Sequence, residues 1–252
     1  MSHYYQLEGP SGAPVVVLSN SLGTTFEMWQ PQMAALLENF RVLRYDTHGH
    51  GRTRKNEKTT LPQLAEDVLS VMDDAGVQQA HFCGISMGGL TGLWLARFAP
   101  ERFLSVTVAN SAAKIGEQNG WLERARTVRH EGMSAIAKSA PSRWFTDDFV
   151  KHHPAQVDAL CATLGQINPE GYASCCEALA AADLRGEIDA ITVPMQFIAG
   201  ANDPVCSVAD SEFMHQQVHG SHLVTLKASH LSSIEDAHGF NVALLNFIQQ
   251  DD

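Results

Sequence analysis

The chain is poor in charge, and poorest in positive charge. Of its 252 residues 18% are charged, with 17 Lys and Arg against 28 Asp and Glu, a formal net charge of −11. An acidic surface of that kind repels phosphate backbones, which argues against a general nucleic-acid binder. An anionic small molecule is compatible with it only where a local cation receives the charge. Cysteine is sparse as well. Cys83, Cys161, Cys175, Cys176 and Cys206 make an odd number with no C-x-x-C pair. That excludes a disulfide-stapled scaffold, and reduced thiols are the expectation. Cys83 lies in an apolar run and reads as a small core residue.

Long apolar runs are also missing. The longest, such as Val15-Val16-Val17-Leu18, are strand-sized, far short of the ~20 residues of a membrane helix. Met1-Ser2-His3-Tyr4-Tyr5 has neither a cationic start nor an apolar stretch, so no signal peptide is expected and a cytoplasmic location is. There are no repeats and no low-complexity segments. No G-x-G-x-x-G and no G-x-x-x-x-G-K-[ST] occurs, so nucleotide binding has no support.

What is present is 44% hydrophobic residues in an ordered alternation of strand and helix signals. Val15 to Leu18 reads as a strand buried on both faces. Met33, Leu36, Leu37 and Phe40 follow with helical spacing, then Val42 to Tyr45 as a strand. Thr60-Leu61-Pro62-Gln63 has the form of a capping box with proline in the first turn. The helix it opens carries Leu64, Val68, Val71, Met72 and Ala75, with Gly76 as its cap. His81 to Ile85 is a strand, a helix from Ser86 runs to Phe98, and Phe103 to Ala109 is another strand. In the Ser86 helix, Trp94 and Phe98 are expected to pack on the sheet. From about Ala112 to about Ile191 the periodicity is mostly helical, with no convincing strand. Strands return at Met195 to Ala199 and Leu223 to Leu226, and a helix around Val242 to Ile248 closes the chain. The pattern predicts an α/β fold with a mostly parallel sheet flanked by helices. It divides into a core of residues 1–111 and 192–252 and a helical cap inserted at 112–191.

The chemistry-bearing motif is Gly84-Ile85-Ser86-Met87-Gly88, a Gly-x-Ser-x-Gly set between a strand and a helix. A serine on so sharp a turn projects its hydroxyl above the sheet at a helix N-terminus, where developing negative charge is favoured. Serine needs a base and the base an orienting acid, in the chain order Ser, Asp, His. Asp203 and His230 both follow predicted strand ends, where ligands gather in α/β sheets. Asp210, His215 and His219 are assigned instead to the next helix, and His222 to the wrong end of the sheet. An oxyanion needs two donors: the backbone N–H of Met87 and one from the loop Ser19-Asn20-Ser21-Leu22-Gly23-Thr24, where Leu22 is the candidate. The Asn20 side chain either ties this loop down or reaches the substrate. His48 and His50 have the spacing of a metal pair but no carboxylate–histidine cluster beside them, so no metal is expected. His152 and His153 read as solvated.

The chain resembles the α/β-hydrolases along its whole length and, more narrowly, the 3-oxoadipate enol-lactonases. The resemblance is carried by Leu18 to Thr24, Leu43-Arg44-Tyr45-Asp46-Thr47, Gly49-His50-Gly51, His81 to Gly89, Asn110-Ser111-Ala112-Ala113-Lys114-Ile115-Gly116 and Arg143-Trp144-Phe145-Thr146. Asn20-Ser21, where most relatives have His-Gly, is the more specific mark, together with the 110–116 stretch. His48 departs from the arginine usual before Gly-His-Gly. The resemblance implies an α/β-hydrolase fold and a hydrolase that opens 3-oxoadipate enol-lactone without metal or organic cofactor. Its substrate carries a carboxylate. Arg143 is the candidate to hold it, with Trp144 walling the pocket and Lys114 and Arg124 as competitors. Arg143 as a solvated helix residue is the alternative. The same serine, histidine and aspartate would serve another capped hydrolase, a carboxylesterase or carbon–carbon bond hydrolase, or a ligand receptor on this fold.

Overall fold

The computed structural model describes residues 3–55 and 57–249, so Met1 and Ser2 of the N-terminal reading lie outside the described residues. Seven strands form one sheet: β1 (Tyr5–Glu8), β2 (Val15–Ser19), β3 (Arg41–Tyr45), β4 (Ala80–Ile85), β5 (Phe103–Ala109), β6 (Met195–Gly200) and β7 (His222–Leu226). Their order across the sheet is β1-β3-β2-β4-β5-β6-β7. All neighbours are parallel except β1 against β3. The central strands are built from apolar and β-branched residues because helices cover both faces. β2, β4 and β6 are buried at every position. β1, the four-residue Tyr-Gln-Leu-Glu edge strand, is only partly buried. Its brevity and mixed polarity give no sequence signal.

The first three helices are α1 (Gln30–Leu36), α2 (Leu61–Asp74) and α3 (Met87–Phe98). Thr60 caps α2 by accepting from the Gln63 N–H, with proline in the first turn, and Gly76 follows the helix at φ +69°. The complete reciprocal capping box lies elsewhere, at Ser207 and Asp210. Phe98 departs from expectation. Trp94 packs partly buried against the core, but Phe98 is 44% exposed, packed on Trp94 at 4.9 Å with Arg97 over its ring. Leu95, Ala96 and Ala99 take the buried side of that turn of α3 and leave Phe98 on the solvent side.

Between β5 and β6 the described residues contain no strand. Five helices fill the interval: α4 (Gln118–Glu131), α5 (Ser134–Trp144), α6 (Asp147–His152), α7 (Pro154–Gly165) and α8 (Pro169–Ala181). Arg129 on α4 grips Glu170 and Glu177 of α8, each through a 2.5–2.8 Å contact. α8 comes down onto the loop after β3 where Gly49 and Gly171 meet backbone to backbone. A Cβ on Gly49 would stand 2.3 Å from the Gly171 Cα. Buried apolar residues run without a break from the sheet into this helical segment. The chain ends with α9 (Val208–Gln217), α10 (Ser232–Glu235) and α11 (Ala237–Ile248). His215 lies in α9, and His219 falls in the turn beyond it rather than in the helix. No helix among the described residues is long and apolar enough to cross a membrane.

Candidate active site

From β2 the chain runs to β3 on one side and returns to β4 on the other. Ligand crevices in open α/β sheets lie at such a reversal, beyond the carboxyl ends of the strands. There the loop after β2 meets the turn between β4 and α3. Ser86 sits on that turn at φ 57° and ψ −118°, a backbone conformation that few residues adopt and that costs about 1–3 kcal/mol unless its surroundings enforce it. The surroundings do so sterically. A Cβ at Gly84 would lie 2.2 Å from the Gly88 carbonyl oxygen, and one at Gly88 would lie 2.3 Å from the Ser19 carbonyl oxygen. Only glycine at both positions lets the turn close and the β2 loop press against it. The Gly88 N–H then donates to the Asn20 carbonyl at 3.1 Å, pinning one to the other.

Ser86 Oγ lies 2.9 Å from His230 Nε2. On the other side of the ring, His230 Nδ1 lies 2.8 Å and 3.0 Å from the two carboxylate oxygens of Asp203. A carboxylate can only accept, so Nδ1 carries the proton and Nε2 presents its lone pair to the serine hydroxyl. Asp203 is itself fixed. Its Oδ1 accepts from the N–H groups of Val205 and Cys206, and its Oδ2 from the Asn110 amide at 3.0 Å. Asn110, at φ 44° beyond β5, also donates to the Ser229 carbonyl and accepts from the Ser232 hydroxyl. It thus braces the aspartate and the histidine loop together. In the sequence Asn110 stands out only through the family resemblance, because the approach of β5, β6 and the β7 loop that gives it this role is long-range.

The backbone N–H groups of Leu22 and Met87, the two proposed oxyanion donors, have no hydrogen-bond partner among the described residues. The loop that carries Leu22 is held by His50. That ring donates from Nδ1 to the His48 carbonyl at 2.8 Å and accepts at Nε2 from the Gly23 N–H at 3.0 Å. Burial pushes the His50 pKa down to about 4, keeping the ring neutral and able to accept. His48 turns the other way, its Nε2 2.9 Å from the Glu57 carbonyl. Asn20 does not reach the cavity. Its amide donates to the Tyr45 carbonyl at 2.7 Å and its oxygen accepts from the Trp29 indole at 2.9 Å. Of the two roles open to it in the sequence, the placement gives it the tethering one and removes it from the substrate contacts.

A cavity of about 310 Å³ opens above Ser86 and His230, near the lower end of the ~300–1,000 Å³ usual for small-molecule sites. Leu22 lines its sheet side, and Trp121, Arg124, Arg143, Trp144 and Tyr172 line its helical side. Arg143 therefore faces the cavity rather than solvent. It gives one donor to the Ser139 hydroxyl and one to the Ile136 carbonyl. Burial first, and then the neighbouring Arg124 charge, hold its pKa below the ordinary arginine range. Arg124 stacks over Trp121 at 4.8 Å. Neither arginine has a carboxylate partner among the described residues; the one carboxylate in the lining, Glu117, pairs with Lys114, which itself lies outside the lining. Burial raises Tyr172 to about 12 against the opposing pull of the two arginines. Cys83 is fully buried with its thiol pushed up by burial, and takes no part.

A serine on a strand-to-helix turn, with histidine and aspartate on the loops after later strands of a mostly parallel sheet, defines the α/β-hydrolase class. Residues 14–131 match the family described as "alpha/beta hydrolase fold". The chain is 45% identical to 3-oxoadipate enol-lactonase 1 of Acinetobacter baylyi, over 97% of this chain and 92% of that one. It is 47% identical to 3-oxoadipate enol-lactonase 2 of the same organism, over 95% and 90%. The crystal structure of the enol-lactonase from Burkholderia xenovorans LB400 superposes with a TM-score of 0.96 at 43% identity, covering 98% of this chain and 96% of that one. The chain belongs to the 3-oxoadipate enol-lactonase family.

Proposed function

We propose that this protein hydrolyses 3-oxoadipate enol-lactone to 3-oxoadipate, in the breakdown of aromatic compounds, through an acyl-enzyme on Ser86. The observation that carries the reading is the pair Arg124 and Arg143, both without a carboxylate partner among the described residues, in the cavity that holds Ser86 and His230. In a chain of net charge −11, cations so placed are reserved for an anionic ligand. The names of the relatives at 45% and 47% identity support the same substrate.

In this mechanism His230 takes the Ser86 proton as Oγ attacks the lactone carbonyl, and Asp203 stabilises the imidazolium that forms. The oxyanion develops between the N–H groups of Leu22 and Met87. The carbon–oxygen bond to the ring oxygen then breaks. Its leaving group is an enolate, more stable than an alkoxide, so it needs less acid assistance; it takes up the proton held by His230, which returns the ring to its neutral form. Because the ester is cyclic, the leaving group stays tethered to the acyl-enzyme. His230 next removes a proton from water, which attacks the acyl carbonyl and releases the open acid. Arg143 and Arg124 hold the substrate carboxylate through charge-assisted hydrogen bonds, and Trp144 walls the site. Residues 112–191 act as the cap over the core of 1–111 and 192–252. The substrate is a small anion, neither metal nor organic cofactor takes part, and no nucleic acid or membrane partner is involved. The five free cysteines support a reducing, cytoplasmic setting.

The test is turnover of freshly generated lactone, followed by loss of its ultraviolet absorbance, beside a neutral p-nitrophenyl ester. The expected kcat/KM for the lactone is about 10⁴–10⁸ M⁻¹s⁻¹, with poor ester turnover. Fast ester and negligible lactone hydrolysis would make it a carboxylesterase instead.

A further inference from the structure

One carboxylate outside the serine, histidine and aspartate set bridges the histidine loop and the helical segment. Glu235, at the end of α10, accepts the Ser229 N–H on Oε2 at 2.8 Å. Its Oε1 accepts the Thr146 hydroxyl and, at 3.3 Å, the Thr146 N–H. On the far side of the histidine, the Leu231 N–H donates to the Trp144 carbonyl at 3.0 Å. The residues immediately before and after His230 are therefore both fastened to the 144–146 stretch, which begins beside Arg143. Glu235 has no cationic partner among the described residues. Its charge is met by three converging donors, two N–H groups and one hydroxyl.

We propose that Glu235 is a positioning residue. It fixes the backbone of the histidine loop against the cavity wall, keeps His230 Nε2 in reach of Ser86, and so makes alignment of the base depend on the seating of residues 144–146. This rests on the reading that Ser86 and His230 carry the chemistry. The acceptor count supports it. A carboxylate offers lone pairs to all three donors, whereas a carboxamide of the same shape must turn its NH₂ toward one of them. Glu235→Gln therefore breaks the bridge without emptying the space.

The experiment compares the full-length wild type with Glu235→Gln, Thr146→Val, the double variant and Ser86→Ala. Glu235→Gln is expected to lower kcat for the lactone about 10–100-fold, with KM within about twofold, since small misplacements of reacting groups cost that much. The loss should be the same on a neutral ester, and the acid limb of the pH–kcat profile, which follows the base, should move. Its unfolding midpoint should fall by no more than about 4 °C. Thr146→Val should lose less, and the double variant should be no worse than Glu235→Gln alone, because both cut one link. Unchanged kcat and pH profile in Glu235→Gln, a loss that merely follows the folded fraction, or additive losses would overturn the proposal. Ser86→Ala separates the two levels. An inactive Ser86→Ala beside a normal Glu235→Gln removes only the bridge, whereas an active Ser86→Ala removes the reading beneath it.

Discussion

On the sheet side of the cavity, Ser86, Asp203 and His230 are 6%, 8% and 3% exposed, and nearly every polar atom around them has a partner within the chain. On the helical side, Trp121, Arg124 and Arg143 are half-buried, and the two guanidinium groups keep donors in reserve. The first half is over-determined by backbone. Two glycines, one positive-φ serine and one positive-φ asparagine leave the reactive atoms a single arrangement. The second half is determined by which side chains a set of packed helices happens to aim inward. On the proposed function, chemistry is thus held by elements that cannot change singly, and substrate choice by residues that can.

Removing the nucleophile should give the largest effect and tests the sheet side directly. Ser86→Ala is expected to lower kcat about 10⁵–10⁶-fold with a native circular dichroism spectrum. Retained turnover would break the contrast at its root. The next effect concerns stability. His50 is held at about 4 by burial, below the 6.5 of a free imidazole, so the unfolded chain binds more protons between those values. Stability from this ring is fully present above pH 6.5 and is lost as pH falls toward 4, a swing of about 3 kcal/mol. His50→Gln, which keeps an acceptor for the Gly23 N–H, should flatten that part of the profile of melting temperature against pH. An unaltered slope would assign the acid loss to other groups. The helical side should respond more mildly and more selectively. Arg143→Ala is expected to raise KM for the lactone about 10–100-fold while leaving KM for a neutral ester in place. Arg124→Ala should show the same selectivity. Equal effects on both substrates would take the arginines out of carboxylate binding.

The sheet side was also the half most legible in the sequence. The elbow is a local steric solution, so a pentapeptide between a strand and a helix is enough to see it. Asp203 and His230 follow from chain order and from strand ends. Asn110 was not legible in its role, because its partners Asp203, Ser229 and Ser232 arrive from far along the chain. Asn20 was legible as special but not in direction, since nothing local says that Trp29 and Tyr45 would take its amide. The inward turn of Arg124 depends on how α4 packs against α8, which periodicity does not resolve. The exposure of Phe98 was illegible for a related reason. Helical spacing sets Trp94 and Phe98 side by side but does not say how far round the helix the core covers them.

The contact between Gly49 and Gly171 constrains how this architecture can be altered. A side chain at either position would occupy the backbone of the other, so neither glycine can be exchanged alone while the two segments stay in place. A helical segment borrowed from another scaffold, however well its lining suits a new substrate, will not seat on this sheet unless it brings a glycine to the point where α8 meets the loop after β3. The route to new specificities therefore runs through the side chains lining the cavity, with the seam beneath them left untouched.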